Sequence, residues 1–355
     1  MKEILILGLG PAGSAAGLTA LSAGASITML GREPPAGPRV GETIPPQANM
    51  LLSSLGIDNL AADGHLPSHG TVSIWADAEP VENDFIFSPY GHGWHLDRAA
   101  FDARLLKTAS DRGANIFSGT RLLSARHVEH KWMIVADQGD RQVKFQADFV
   151  LDATGRSSWF ARRQGVTRIP SDRLVGIVGF FDTTEESDAR TFLEASEDGW
   201  WYAARLPGCR SVAAFMTDAD ILAGYPGGAK AMWQNRLQQV SLTTPFVNKN
   251  IDALRVIPAN GARLSCVTGP GWAAIGDAAA SWDPLSSQGI VTAIEGANRC
   301  VSALMTEPEE LNEYLDWFET AWADYSRIHR VYYSQVRRWP DSVFWRRRSL
   351  RDDLW

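Results

Sequence analysis

The chain has 355 residues, 45% apolar and 21% charged, with a net charge of −7 and a pI near 5.6. That is enough chain to bury a full core at an ordinary globular composition, which excludes a disordered segment or a disulfide-stapled miniature domain. A net negative chain lacks the basic field that a phosphate backbone requires, so no nucleic acid partner is expected. Cys209, Cys266 and Cys300 are scattered, with no Cys-x-x-Cys spacing. They point away from a zinc site or a disulfide framework and towards a reducing, cytoplasmic compartment.

From Ile4 to Gly31 no residue is charged, a run long enough to weigh as a signal peptide or membrane helix. Gly8, Gly10, Pro11, Gly13, Gly17 and Gly24 would break such a helix, so no membrane span is expected. The run is instead ordered as strand (Lys2 to Leu7), glycine turn, alanine-rich helix to Ala23 and second strand (Ser26 to Leu30). A helix is predicted over Gln47 to Leu55, closed by Gly56, and strands over Gly70 to Gly93, where apolar and polar residues alternate. Ala99 to Arg112 has helical spacing and ends on Gly113. Short strands come next at Asn115 to Phe117, Leu122 to His127, Lys131 to Ala136, Val143 to Phe145 and Phe149 to Leu151. Val175 to Asp218 reads as a second β-rich region, with strands at Trp200 to Tyr202 and Val212 to Met216. A last core strand is expected at Trp272 to Ile275, then helices over Ile290 to Met305 and Glu310 to Arg338. With no repeat or linker dividing the chain, two domains should interleave.

Gly8-Leu-Gly10-Pro11-Ala12-Gly13 comes after a predicted strand and opens a predicted helix. In that setting the first glycine permits the tight turn, the second lets a pyrophosphate approach the backbone, and the third lets the helix pack on the sheet. The helix N-terminus then faces two phosphates. An acidic residue is usual about 20 residues on, where it holds ribose hydroxyls, but Gly31 stands there. Two readings remain: Glu33 substitutes from the same face of the extended chain, or Glu33 is solvated and the ribose is held otherwise.

Four more strings come in order: Arg39-Val-Gly-Glu42-Thr-Ile-Pro45, Leu96-Asp-Arg98-Ala-Ala-Phe-Asp102, Asp152-Ala-Thr-Gly-Arg156, and Gly276-Asp277-Ala-Ala-Ala-Ser-Trp-Asp283-Pro284-Leu-Ser-Ser-Gln288-Gly289. Together they resemble the flavin-dependent aromatic hydroxylases of the para-hydroxybenzoate hydroxylase fold, with their halogenase and geranylgeranyl-reductase relatives, over about residues 1 to 300. The resemblance implies an α/β fold in which a Rossmann-like FAD-binding domain (1–65, 92–160 and 258–305) interleaves with a mostly antiparallel β-sheet substrate domain (66–91 and 161–257). A C-terminal helical segment (306–355) completes it.

The same resemblance implies that Asp277 holds the ribityl chain, that Arg98 reaches the cofactor from the middle helix, and that Glu42 lies beside the flavin ring. A carboxylate accepts from sugar hydroxyls and a guanidinium forks onto a diphosphate; the competing reading of Arg98 is a helix-face pair with Asp102, four residues on. Backbone N–H groups around Ser287, Gln288 and Gly289 would stabilise negative charge on the reduced ring. Arg39, Gly276, Pro284 and Ile290 complete the implied cofactor contacts.

Tryptophan halogenases carry a catalytic lysine after the Gly-Glu motif and a Trp-x-Trp-x-Ile-Pro motif. This chain has neither, and no lysine stands between Lys2 and Lys107. Glu197-Asp-Gly-Trp200-Trp201-Tyr202, Phe215-Met-Thr-Asp218 and Asp283-Pro-Leu-Ser-Ser-Gln-Gly289 are similar to the LodB/GoxB type of flavoprotein, which helps convert a tryptophan of a partner oxidase into a quinone cofactor. These resemblances imply an FAD-dependent monooxygenase in which a flavin C4a-hydroperoxide attacks an electron-rich ring, with Asp283 and Glu42 as candidate proton acceptors. The substrate would be a quinone-cofactor oxidase precursor, reached through a mouth lined by Trp200 and Trp201, or a small aromatic. Dioxygen and NAD(P)H or another reductant would be consumed. A small-molecule hydroxylase, an isoprenoid reductase, a flavin-binding chaperone and, further down, a halogenase remain as alternatives. The pairs His65/His69 and His92/His95 lack further ligands and read as loop or core residues, so no metal is expected. Arg346-Arg-Arg348 reads as a solvated basic tail rather than a docking patch.

Overall fold

The computed structural model describes residues 2–34, 37–183, 188–248, 253–306 and 311–349. At its centre lies a six-stranded sheet ordered Thr268–Gly269, Trp272–Ala274, Phe149–Asp152, Glu3–Leu7, Ser26–Leu30, Asn115–Phe117, parallel except for the first pair. Ile4, Leu5, Ile6 and Leu7 are all buried, as expected of a strand covered on both faces. The Pro11–Ser22 and Gly289–Thr306 helices pack on it and on each other. The turn at Gly276 fits between them because it has no side chain: a Cβ there would lie 2.6 Å from the Ala12 methyl and 3.3 Å from that of Ala293. Thr19 bridges the two helices by donating to Asn298 Oδ1 at 2.7 Å.

The second large sheet has seven strands, ordered Arg255–Pro258, Leu174–Asp182, Arg210–Asp218, Gly199–Leu206, Thr191–Ser196, Gly70–Ile74, Val81–Asp84. Every pairing is antiparallel except Thr191–Ser196 with Gly70–Ile74. This is the interleaved α/β architecture that the motifs imply. A three-stranded meander, Thr120–Val128, Lys131–Gln138 and Arg141–Ala147, forms a separate sheet packed against the Glu3–Leu7 and Phe149–Asp152 strands.

Three local readings are corrected. The Gly70 to Gly93 segment contains a 3-10 turn at Phe85–Phe87, where the Asp84 side chain accepts from the Ile86 N–H at 3.0 Å. The last long helix, expected to reach Arg338, is Asn312–Ser334, and the expected start at Glu310 lies outside the described residues. It ends early because Arg338 turns its guanidinium onto the Trp75, Ala195 and Ile74 carbonyls at 3.1, 3.3 and 3.5 Å, which a continued helix would carry away from the sheet. The arginine tail is not solvated: Val343–Ser349 is a helix in which only Arg346 is exposed among the three arginines. Arg348 is buried, 2.7 Å from Asp218 and stacked on Phe344, while Arg347 pairs with Asp218 and Asp220. The aspartates that draw the arginines in lie about 130 residues earlier in the chain, so no local pattern signals them.

Candidate active site

The glycine turn divides its labour among its three glycines. Gly8 has φ +126° and a Cβ there would sit 2.0 Å from the Ala153 oxygen; one on Gly13 would sit 2.1 Å from the Gly8 oxygen. Both positions are closed by backbone. At Gly10 the same atom meets nothing within 4 Å. Gly10 caps the Pro11–Ser22 helix without a side-chain hydrogen bond, so the helix presents free N–H groups and its positive end to open space.

That space is a cavity of about 340 Å³ between the parallel sheet and the antiparallel one. On the helix side Gly10, Pro11, Ala12, Ala153, Gly155, Arg156 and Asp277 line it. Ser287, Gly289, Ile290 and Ala293 add the start of the Gly289–Thr306 helix. On the sheet side stand Tyr202, Val212, Ala214, Met216, Ile257 and Pro258, and at the end Glu42, Arg98, Trp282, Asp283 and Pro284.

The local chemistry explains how each polar group is held. Asp152 closes the Asp152-Ala-Thr-Gly turn, accepting from the N–H groups of Thr154, Phe160 and Ala161 at 2.9–3.0 Å. This aspartate is therefore structural, and it leaves Arg156 free to reach 3.8 Å from Asp277. Arg98 makes the helix-face pair with Asp102 at 3.2 Å and donates to the Val40 and Gly41 carbonyls at 2.8 and 3.0 Å, and it also lines the cavity. Glu42 is 3% exposed, and burial raises its carboxyl above the usual range, against a hydrogen bond with Tyr202 and the nearby Arg98 charge. Its Oε2 has no partner within the protein. The Tyr202 hydroxyl is 2.7 Å from Thr43 Oγ1, so a phenol that donates to Glu42 can accept from Thr43.

Asp283 is 1% exposed and takes three hydrogen bonds: from Leu285 N–H at 2.8 Å, from the Tyr333 hydroxyl at 2.8 Å, and one shared with His329 Nε2 at 3.1 Å. Burial pushes its carboxyl up, but the His329 contact and the other donors outweigh that and hold it below the usual range. Asp172, Asp283 and His329 are, among the described residues, the one His/Cys/Asp/Glu group close enough to share an ion. Both Asp283 oxygens already accept from donors, His329 among them, and Asp172 accepts from the Leu174 and Gly261 N–H groups, so the three are partnered within the protein rather than an open ligand set.

Of the residues expected to hold the cofactor, Gly10, Pro11, Ala12, Glu42, Arg98, Asp277, Pro284, Gly289 and Ile290 share this cavity, while Gly8, Gly13, Glu33, Arg39, Gly276 and Gln288 do not line it. Glu33 is exposed and accepts from Ser118 at 2.5 Å. Gly31 lies under Leu9, whose Cγ would be 2.6 Å from a Cβ there. Arg39 pairs with Asp102 at 2.8 Å. Trp200 and Trp201 do not line the mouth: both are fully buried, on opposite faces of the Gly199–Leu206 strand. Alternation along the strand sends Trp201 against Trp233 and Trp200 towards Tyr333, and Tyr202, next along, reaches the cavity. Sequence reasoning misses Tyr202, Arg156 and His329 as site residues. Arg156 closes the Asp152-Ala-Thr-Gly-Arg156 string and Tyr202 the Glu197-Asp-Gly-Trp-Trp-Tyr202 string, whereas nothing local marks His329. The histidine pairs are packed apart: His65 Nδ1 accepts from Asp97 N–H at 3.1 Å, and buried His95 contacts Thr191.

An uncapped helix N-terminus over open space, two arginines and an unpartnered buried carboxylate oxygen fit a dinucleotide with a redox ring. The chain belongs to the tryptophan halogenase family, whose model matches residues 75–353, and it is thus an FAD-dependent oxidoreductase. It is 27% identical to LodB of Marinomonas mediterranea, which is named as an FAD-dependent oxidoreductase, over 98% of this chain and 96% of that one. Its fold matches the flavin-dependent halogenase CmlS, with a TM-score of 0.89 at 23% identity over 99% of this chain and 68% of that one. It also matches QhpG, described as a peptidyl tryptophan dihydroxylase essential for tryptophylquinone cofactor biogenesis, with a TM-score of 0.79 at 22% identity over 100% of this chain and 80% of that one. No helix of the described residues is long and apolar enough to cross a membrane.

Proposed function

We propose that this chain is an FAD-dependent monooxygenase that inserts oxygen into an electron-rich aromatic ring, the side chain of a tryptophan in a partner polypeptide on its way to a quinone cofactor. One observation carries the reading. The cavity joins a dinucleotide-binding end to an apolar wall of Val212, Ala214, Met216 and Ile257, and no lysine is among its lining residues. Such a lining suits a flat aromatic ring and offers no lysine amine for halogen transfer. The fold shared with QhpG, a peptidyl tryptophan dihydroxylase by its description, supports the choice of a peptide over a small aromatic.

In this reading residues 1–65, 92–160 and 258–305 hold the cofactor, and 66–91 with 161–257 hold the substrate. FAD, when bound, supplies the two electrons that activate dioxygen, drawn from NAD(P)H or a separate reductant. The Pro11–Ser22 helix N-terminus and Arg98 bind the diphosphate, and Asp277 the sugar-like chain. The N–H groups opening the Gly289–Thr306 helix stabilise negative charge on the ring. Glu42, with Tyr202 beside it, orients the substrate side of the site, and Asp283 takes the proton that the ring loses when it regains aromaticity.

The test supplies FAD-loaded protein with a reductant, isotopically heavy dioxygen, halide salts and tryptophan-containing peptides of candidate oxidase precursors, and weighs the peptides by mass spectrometry. Oxygen from dioxygen in tryptophan is the expected result. Halogen in its place, or reduction of an isoprenoid alkene without oxygen uptake, would overturn the reading.

A further inference from the structure

Asp283 belongs to two spaces. One side of it lines the cavity between the two large sheets. The other meets His329, which with Asp172, Arg173, Asp218, Ser326, Arg330, Arg347 and Arg348 lines a second, more polar cavity of about 140 Å³. The His329 side chain is 14% exposed and that of Asp283 1%, so one imidazole stands between a buried carboxylate and a space whose lining reaches solvent at the exposed Arg173. Asp172 offers an oxygen within 4.8 Å of both.

We propose that Asp283 and His329 form a proton conduit, exchanging protons between the flavin cavity and solvent by way of the second cavity. The proposal rests on FAD occupying the first cavity, not on which aromatic is oxidised. Insertion of one oxygen atom into a ring C–H bond releases the other as water and consumes two electrons and two protons per dioxygen. Without substrate, the same two electrons and two protons make hydrogen peroxide. At least one proton per turnover therefore comes from solvent, and a buried carboxylate cannot draw it without a partner that solvent reaches. Imidazole is the side chain suited to the task at neutral pH.

His329 gives its Nε2 proton to Asp283 and is reprotonated from the second cavity, acting through Asp283 as a relay and positioning residue. The groups that face it are Asp283, Asp172, the Tyr325 and Tyr333 rings at 5.6 and 4.4 Å, and, around the second cavity, Arg173, Arg330, Arg347, Arg348 and Asp218. Those arginines argue against a bound metal cation, while the Asp172 and Asp283 carboxylates lie close enough to balance the charge of a proton in transit.

FAD-loaded protein is photoreduced without oxygen and mixed with oxygenated buffer, with no aromatic present, and flavin oxidation is monitored together with proton uptake by an indicator dye. His329→Ala should slow both about tenfold or more. Imidazole and its methylated forms, entering the second cavity, should restore the rate in the order of their basicity. His329→Gln, which keeps a donor towards Asp283, should be slowed alike and covers the case in which the alanine variant does not fold. A second readout needs no flavin: infrared spectra of the free protein should show the Asp283 carboxyl taking up a proton at higher pH in His329→Gln than in the wild type, with Asp283→Asn identifying the band. Unchanged oxidation and proton uptake in a folded variant, or a loss that no imidazole restores, would overturn the conduit, and so would an unshifted carboxyl band. A failed aromatic substrate would leave all of these readouts intact.

Discussion

The two walls of the cavity are made in different ways. The helix-side wall is written in short strings: Gly8 to Gly13, Asp152 to Arg156 and Gly276 to Gly289 each fold locally into a turn that delivers backbone N–H groups and one or two side chains to the space. The sheet-side wall comes from alternate residues of long strands, Val212, Ala214 and Met216 on one and Tyr202 on its neighbour, and depends on register across the sheet. A local wall is broken one position at a time, whereas a register wall is held by distant packing beneath it.

The largest effect tests that contrast within the glycine turn. Gly8→Ala and Gly13→Ala drive a methyl into backbone at 2.0 and 2.1 Å, and backbone cannot step aside, so each should cost on the order of 3 kcal/mol or more in denaturant unfolding. Gly10→Ala meets no atom and should stay within about 1 kcal/mol of wild type, the scale of a changed helix cap. It should nevertheless weaken FAD binding by about tenfold or more, because the methyl fills the place of a phosphate. Equal stability losses at all three positions would mean that the turn is uniformly packed and binds nothing.

Next comes the support beneath the sheet-side wall. Arg348 and Asp218 are both buried and pair at 2.7 Å, and Asp218 ends the strand that carries Met216 and Ala214. Arg348→Met leaves a buried carboxylate short of a partner and should cost about 3–5 kcal/mol. Arg346→Ala, an exposed neighbour, should change stability by less than about 0.5 kcal/mol. A similar small effect at both would restore the solvated-tail reading.

The two walls also differ in how much of them is legible in the chain. The sheets, the helices and the motif-borne residues can be read because strand periodicity and glycine turns are local signals. Three things cannot. The exposure of Trp200 and Trp201 depends on which face of their strand meets the Asn312–Ser334 and Gly228–Leu237 helices, whose residues Tyr333 and Trp233 cover them. Arg348 reads as solvated because its partner is distant in the chain. The usual place for a ribose-binding acid is taken by Gly31, and Leu9 covers it; that reason is steric and invisible in the string.

The smallest effect concerns Glu42, a buried carboxylate at the end of the cavity where the walls meet. Burial raises the Glu42 carboxyl above the usual range, so the folded protein holds this proton to higher pH than the unfolded chain does. Folding is then favoured by Glu42 at low pH, and that contribution is lost as pH climbs from the ordinary carboxylate range through the raised one. Glu42→Gln keeps the shape without the titration, so in the flavin-free protein the variant should match wild type near pH 4 and gain on it as pH rises, by about 1 kcal/mol at neutral pH. Tyr202→Phe, which removes a hydrogen bond to the carboxylate, should lower wild-type stability most at neutral pH, where the charged form needs that donor, and should cost less in the Glu42→Gln background, where the loss of the Thr43 contact remains. Urea titrations of the four proteins at two pH values measure the coupling directly. Additive effects would mean that Glu42 and Tyr202 do not act as a pair and that the two walls meet only through van der Waals contact.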